Sequence, residues 1–258
     1  MGRLTLLSWN VAGRVKRLAD QTDLVVSAEP DLICLQEISA TTAALWTGAL
    51  AAAGWRHIAL AKPDRQPPGR RPLSVLTAAR QRLEPQSVPD VPWPERVLAT
   101  HVGSLELLNV HSPISPSPGL AKVLTHEALH TYLAAGSGPR VLCGDLNTPR
   151  REHPDGQVWT FARTRHGKLR PERGERWDQA ELALVRGLEN RGFRDGFREL
   201  HGYDSREPSW VWQRWGGGYR LDHLIVSEEV VVHDAHYEHE WRDARLSDHS
   251  ALLATIEV

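Results

Sequence analysis

The chain has 258 residues, 41% of them hydrophobic, and sets 31 basic residues against 32 acidic ones for a net charge of −1. That apolar content supports an ordinary core and excludes a disordered chain, while the balanced charge excludes a polycation whose whole surface attracts nucleic acid. Any phosphate-binding surface must therefore be local.

Cys34 and Cys143 both fall in apolar runs, which excludes a disulfide framework and a Cys-based metal site. The first residues lead straight into a strand without the pattern of a signal peptide, and no run reaches the ~18 apolar residues of a membrane span. A cytoplasmic, monomeric protein without a membrane partner is expected.

Leu4 to Trp9 reads as a first strand ending at Asn10. Val15, Leu18, Thr22 and Val25 then recur at helical spacing until Pro30 closes the helix. Asp31 to Gln36 is a second buried strand with Glu37 at its end, and a second helix runs from Thr41 to Ala53 before Gly54. Residues 62–82 hold Lys62, Arg65, Arg70, Arg71, Arg80 and Arg82 against Asp64 alone, around a short strand from Leu73 to Thr77. Such a charge run ordinarily marks a solvated loop.

Strands follow at Val97 to Val102 and Leu105 to Val110, the second leading into His111. A third helix, Gly119 to Ala135, carries Ala121, Leu124, Ala128, Tyr132 and Ala135 as its expected inward stripe. Val141 to Cys143 is another buried strand, and Gly144 lets its backbone pass close to a neighbour. It delivers Asp145 and Asn147 into a turn closed by Pro149. Alternate residues of an extended segment point the same way, so this carboxylate and carboxamide can address one atom. Hydrolysis at phosphorus needs such a pair, a base for water and a neutral donor beside the oxygen gaining charge. An Asx turn uses the same residues.

The loop from 150 to 176 is again basic, with Arg150, Arg151, Arg163, Arg165, Lys168, Arg170, Arg173 and Arg176. Asp178 and Glu181 read as a capping box for a fourth helix that ends before Gly192. The last third is strand-rich, at Ser209 to Gln213, Tyr219 to Val226, Val230 to Tyr237 and Ser250 to Val258, with Gly216 to Gly218 as a flexible connection. Mixed strands and helices without repeat or linker predict one α/β or α+β domain over residues 1–258.

Asn10, Glu37, His111 and Asp145 each stand at the C-terminal end of an apolar strand, and Asp248-His249 stands just before the last one. In antiparallel neighbours such ends are expected to share one rim and converge on one mouth. Carboxylate and carboxamide oxygens without thiolate suit Mg²⁺ or Mn²⁺, with Glu37 and Asp248 as ligands and Asn10 helping. Asp222 and His249 form a second expected pair, a carboxylate keeping an imidazole charged for a phosphoryl oxygen.

Ser8-Trp-Asn10-Val-Ala-Gly13, Leu35-Gln-Glu37, Asn109-Val-His111-Ser-Pro113, Gly144-Asp-Leu-Asn147-Thr-Pro149, Arg220-Leu-Asp222-His223 and Ser247-Asp-His249 occur in order over nearly the whole chain. In this the sequence resembles the endonuclease/exonuclease/phosphatase superfamily. The resemblance implies an α+β, deoxyribonuclease-like four-layer sandwich: two packed mixed β-sheets flanked by helices. It also implies a divalent-metal phosphoesterase site. There Glu37 and Asp248 look like metal-site residues with Asn10 nearby, and Asp145 like the group that orients or deprotonates water. Asn147 would hold phosphate or water, Asp222 would orient His249, and His249 would bind the phosphoryl group.

Gly192 to His201 and Ser209 to Trp212, running into Arg220-Leu-Asp222, look most like the exonuclease-type and abasic-site endonuclease branch. The sequence departs from it in three ways. Ala12 replaces an Asp, Ile38-Ser39 replaces Thr-Lys after the Glu, and His111 replaces a Tyr. The His resembles that of the deoxyribonuclease and sphingomyelinase branches, where it acts as a second acid.

Trp210 and Trp212 are expected in a core, and Trp215 to stack on an unpaired base, with Arg70, Arg71 and Arg150 as phosphate contacts from the two basic loops. A rival reading comes from His126-Glu127-Ala-Leu-His130, which matches a zinc-protease motif with Glu152 as third ligand. The helical wheel turns both histidines to solvent, against that reading. A non-catalytic binding module would show an eroded site, and here every expected residue is present. Sequence thus favours a Mg²⁺-dependent phosphodiesterase acting on DNA, with a lipid or small-molecule phosphoesterase as the alternative.

Overall fold

A computed structural model describes residues 2–62, 72–212, 214 and 216–258. In chain order the strands and helices are β1 (Arg3–Asn10), α1 (Leu18–Ser27), β2 (Leu32–Ile38), α2 (Ala40–Ala52), β3 (His57–Leu60), β4 (Ser74–Ala79), β5 (Glu84–Gln86), β6 (Val97–Val102) and β7 (Leu105–His111). Next come α3 (Ala121–Ala135), β8 (Arg140–Asp145), β9 (Arg151–Glu152), β10 (Val158–Trp159), α4 (Gly174–Val185), β11 (Phe193–Asp195) and α5 (Gly196–His201). The chain ends with β12 (Trp210–Val211), β13 (Gly218–Tyr219), β14 (Asp222–Ser227), β15 (Val231–Glu238), α6 (His239–Asp243) and β16 (Ala251–Glu257).

Two six-stranded sheets face each other, ordered β15-β16-β1-β2-β4-β3 and β11-β14-β8-β7-β6-β5. Leu4, Leu6, Cys34, Leu107, Cys143, Leu224 and Ile256 fill the layer between them. Neighbouring residues on the same strands point outward: Leu7, Trp9, Ile33 and Leu35 pack on Trp46 and Leu50 of α2, and Leu108, Val110 and Leu142 on Leu129 and Leu133 of α3. Because these strands are covered on both faces, they read as continuous apolar runs and show no polar alternation. Truncating an interior leucine such as Leu6 or Leu107 to Ala costs about 2–5 kcal/mol.

The shared rim is real, but its cause differs from the sequence expectation. Antiparallel neighbours end on opposite rims; here β1 and β2 are parallel, and so are β7 and β8. Parallel pairing requires a crossover, which α1 and α3 provide. Asn10 and Glu37 therefore leave one sheet where His111 and Asp145 leave the other. Antiparallel strands add their starts to the same rim: Asp222 opens β14 directly opposite Asp145, and His249 precedes β16, the antiparallel partner of β1. Gly144 permits a close approach between β8 and β7, since it has φ 126° and a Cβ there would overlap the Val110 carbonyl.

Several local expectations change. Helix α4 begins at Gly174, so Asp178 and Glu181 lie inside it, buried, and cap nothing. On α3 the buried residues are Ala121, Lys122, Val123, Thr125, His126, Leu129 and Leu133; of the expected stripe Ala121 is covered, Leu124, Ala128 and Tyr132 are only partly covered and Ala135 is exposed. The wheel failed because this helix buries polar groups toward the site. Trp210 and Trp212 sit on the small β12-β13 hairpin, outside both six-stranded sheets. Trp210 is half-buried and Trp212 is 43% exposed.

Candidate active site

The residues delivered to the rim converge. Asn10 Nδ2 donates to Asp145 Oδ2 at 3.0 Å and to Glu37 Oε1 at 3.3 Å, bridging the two sheets. His111 Nε2 lies 3.5 Å from Glu37 and 3.9 Å from Asp145, and His249 Nε2 lies 3.8 Å from Asp145. His249 Nδ1 meets Asp222 Oδ2 at 2.8 Å. Asn147 donates its backbone N–H to Asp145 Oδ1 at 2.8 Å and its carboxamide to Oδ2 at 3.3 Å. A polar layer, Ser8, Gln36 and Asn109, underlies the cluster; Gln36 donates to Ser8 Oγ at 3.2 Å and to Asn109 Oδ1 at 2.9 Å.

Two of these residues have uncommon backbone geometry. Glu37 has φ 62° and Asn147 φ 53°, left-handed values that a non-glycine residue keeps only where its surroundings enforce them. Loop ties complete the frame, with Ser247 Oγ donating to the Asn10 carbonyl at 2.6 Å and accepting from the His249 N–H at 3.1 Å.

The electrostatics split the groups. Burial lifts Asp145 to a pKa of about 7, with Asp222 and Glu37 adding to the rise and His249 and the Asn147 amide opposing it. Burial alone would discharge His249, but the carboxylates of Asp222 and Asp145 prevail and raise it to about 10. His111 goes the other way: burial, then the Arg96 and His249 charges, hold it well below the usual imidazole value. One imidazole is thus a cation at neutral pH and the other is neutral.

A hard cation fits the donors present. Carboxylate oxygens of Asp145 and Asp222 lie within 4.8 Å of each other, and Asp222 Oδ1 is buried without a hydrogen-bond partner; His249 shares this cluster, but as an imidazolium bound to Asp222 it offers no lone pair to a cation. Glu37 remains 26% exposed at the mouth, and no thiolate is near. Asp248 stands at the edge, where Trp210 Nε1 donates to its Oδ2 at 3.1 Å.

The basic loops divide. Arg70, Arg71 and Trp215 lie outside the described residues. Arg80 stacks on Trp55 and Arg82 pairs with Glu84, both past the end of β4 farthest from the site. Of the second loop, Arg163 is bound to Asp178, Arg170 pairs with Glu172 and Arg176 with Glu127. Arg150 has no side-chain partner among the described residues. It lines a groove of about 440 Å³ together with Arg151, Tyr203, Arg206 and Tyr219, bounded by Pro149 and Arg220 beside the site.

The zinc-protease motif does not assemble. His126 is buried and bonded to Ser112 Oγ at 2.8 Å, contrary to its expected solvent exposure, and Glu152 is taken by Arg198 and Arg220, each at 2.7 Å. The sequence reading also missed Arg96, whose Nη1 lies 3.3 Å from His111 Nε2, and Lys122, which touches the Asn147 turn.

Comparison with known proteins agrees with the topology. The sequence profile described as Endonuclease/Exonuclease/phosphatase family matches residues 7–249. An AP endonuclease from Archaeoglobus fulgidus superposes with a TM-score of 0.76 at 19% identity, covering 99% of this chain and 100% of its own. A 3′ phosphatase from Neisseria, bound to a product DNA hairpin, gives 0.70 at 23% identity over 97% and 98% of the two chains. A 3′-5′ exonuclease from Neisseria meningitidis gives 0.71 at 23% over 99% and 100%. No curated protein sequence matches. No helix among the described residues is long and apolar enough to cross a membrane.

Proposed function

The chain belongs to the endonuclease/exonuclease/phosphatase family, and from that premise we propose that it is a Mg²⁺- or Mn²⁺-dependent phosphodiesterase that cleaves DNA. The observation carrying this reading is the opposed pair on one rim, a carboxyl poised near pH 7 and an imidazolium 3.8 Å from it. In hydrolysis, Asp145 takes a proton from water as the water oxygen bonds to phosphorus; a base with a pKa near 7 suits that transfer at neutral pH. His249, charged and steered by Asp222, donates Nε2–H to a phosphoryl oxygen. Asn147 fixes both carboxylate oxygens of Asp145 and steadies the phosphate. The phosphorus–oxygen bond to the leaving group breaks, and that oxygen takes a proton from water.

A divalent cation, when bound, supplies Lewis-acid stabilisation of the leaving oxygen. Glu37 and Asp248 would hold it, with Asn10 beside them. A protonated Nε2 is a donor, so His249 suits an anion better than a cation. His111 supports the alternative, lipid or small-molecule phosphoester reading only as a second acid, and its depressed pKa leaves it neutral and poorly suited to that role.

DNA is favoured by the groove beside the site, where Arg150 and Arg206 have no partner among the described residues, and by exposed Trp212 on the adjoining hairpin. The test is a panel of labelled abasic, intact and 3′-blocked duplexes beside a lipid phosphodiester, each with Mg²⁺ or EDTA. Cleavage of a duplex that Mg²⁺ restores and Asp145→Asn abolishes is the expected result. Preference for the lipid moves the protein to the alternative class, and turnover in EDTA overturns the metal.

A further inference from the structure

Helix α3 carries two fully covered ionisable side chains, Lys122 and His126, one turn apart on one face. Both lead to the same turn. Lys122 Nζ donates to the Asn147 carbonyl at 2.7 Å and to Glu181 Oε1 at 2.8 Å. Glu181 in turn accepts from Thr148 Oγ1 at 2.6 Å, Trp177 Nε1 at 2.6 Å and the Phe161 N–H at 2.9 Å. His126 bonds Ser112 Oγ, and the Ser112 carbonyl takes the Asn147 carboxamide at 2.8 Å. Asn147 is thus held from below at its carbonyl and from the side at its amide.

This arrangement is costly for the fold alone. Two ions removed from water recover their hydration only through excellent geometry, and an apolar or neutral pair often serves stability equally well. What the ions provide here is a fixed position for a left-handed, non-glycine residue whose N–H and carboxamide both aim at Asp145. We infer that Lys122 with Glu181, and His126 through Ser112, are positioning residues that hold Asn147 against Asp145. This rests on the phosphodiesterase reading for its catalytic consequence but not for its structural one.

The test pairs two readouts. In Lys122→Met/Glu181→Gln the buried charges are removed together, so the melting temperature is expected to stay near the parent value. Amide exchange across residues 145–149 should accelerate at least tenfold, and kcat should fall about 10–100-fold with KM little changed, since small misplacements of a reacting group carry costs of that size. His126→Leu should show the same split, while His126→Gln, whose amide nitrogen can reach Ser112 Oγ, should restore exchange protection and kcat. Parent-like exchange in the folded double variant overturns the inference, as does a His126→Leu chain equal to His126→Gln. If the parent cleaves no phosphoester, the functional reading fails and the exchange result still decides this one. If the double variant does not fold, the two His126 variants decide it.

Discussion

His249 and Asp222 are joined through Nδ1 and Oδ2 at 2.8 Å, although 26 residues separate them and they enter the rim from different sheets. The pairing leaves Nε2 free to face Asp145 and keeps the ring charged. Asp222→Asn removes the charge while Ser209 Oγ continues to accept the backbone N–H of residue 222 at 3.1 Å. Stability should fall, since His249 loses its buried counter-charge, and kcat of the folded variant in single-turnover assays should fall about 10²–10⁴-fold, the range typical of a lost acid–base partner. A variant with parent-like kcat would remove His249 from the chemistry.

The part of this site legible in the sequence was the part built from strand ends. Asn10, His111 and Asp145 each terminate an apolar strand, and Glu37 lies near the end of another, so a polar residue there is visible against its background. What the sequence did not show was which neighbours are parallel, because that depends on α1 and α3 acting as crossovers. Nor did it show the buried polar face of α3. A wheel assigns the apolar stripe to the core, and Lys122 and His126 break that rule because their partners, Glu181 and Ser112, come from other segments. Asp178 and Glu181 have the spacing of a capping box, yet Arg163 and Lys122 claim them.

Asp145 gives the metal-free protein a pH signature. Its folded pKa, about 7, stands above the ordinary 3.8, so folding favours the protonated acid. The resulting cost begins as pH rises past 3.8 and is complete above about 7. In EDTA the parent should therefore lose stability across that window, and Asp145→Asn should lack this component. Urea melts at pH 5 and pH 8 check it: the variant should gain on the parent between them. Parallel pH dependence in the two proteins would contradict the raised pKa.

Glu152 behaves oppositely. Largely covered and clasped by Arg220 and Arg198, it is held near a pKa of about 2 in spite of the desolvation that opposes its charge. Its stabilisation is present above the ordinary value of 4.5 and is lost as pH falls through about 2. Glu152→Gln leaves two buried guanidinium groups short of charge, and should cost about 3–5 kcal/mol at pH 7. Denaturant unfolding at pH 7 and pH 3 should show the gap to the parent narrowing at the lower pH. Asp195, which also binds Arg220, softens the loss, so Glu152→Gln with Asp195→Asn should cost more than either alone.

Arg150 separates the nucleic-acid reading from its alternative. It stands three residues beyond Asn147 on the groove it shares with Arg206, and neither has an ion-pair partner among the described residues. Their charges are available to a phosphate backbone passing the site. Each arginine that contacts a phosphate displaces counterion, so Arg150→Ala and Arg206→Ala should each raise KM for a DNA duplex several-fold and lower the slope of log affinity against log salt by about 1. Chemistry at the rim is untouched, so kcat should hold. Arg176, already bound to Glu127 at 2.8 Å, serves as the control, and its replacement should leave both KM and the salt slope unchanged. A compact phosphoester reaching only the metal and His249 would ignore the groove; a KM indifferent to both arginines would therefore favour a small-molecule substrate over DNA.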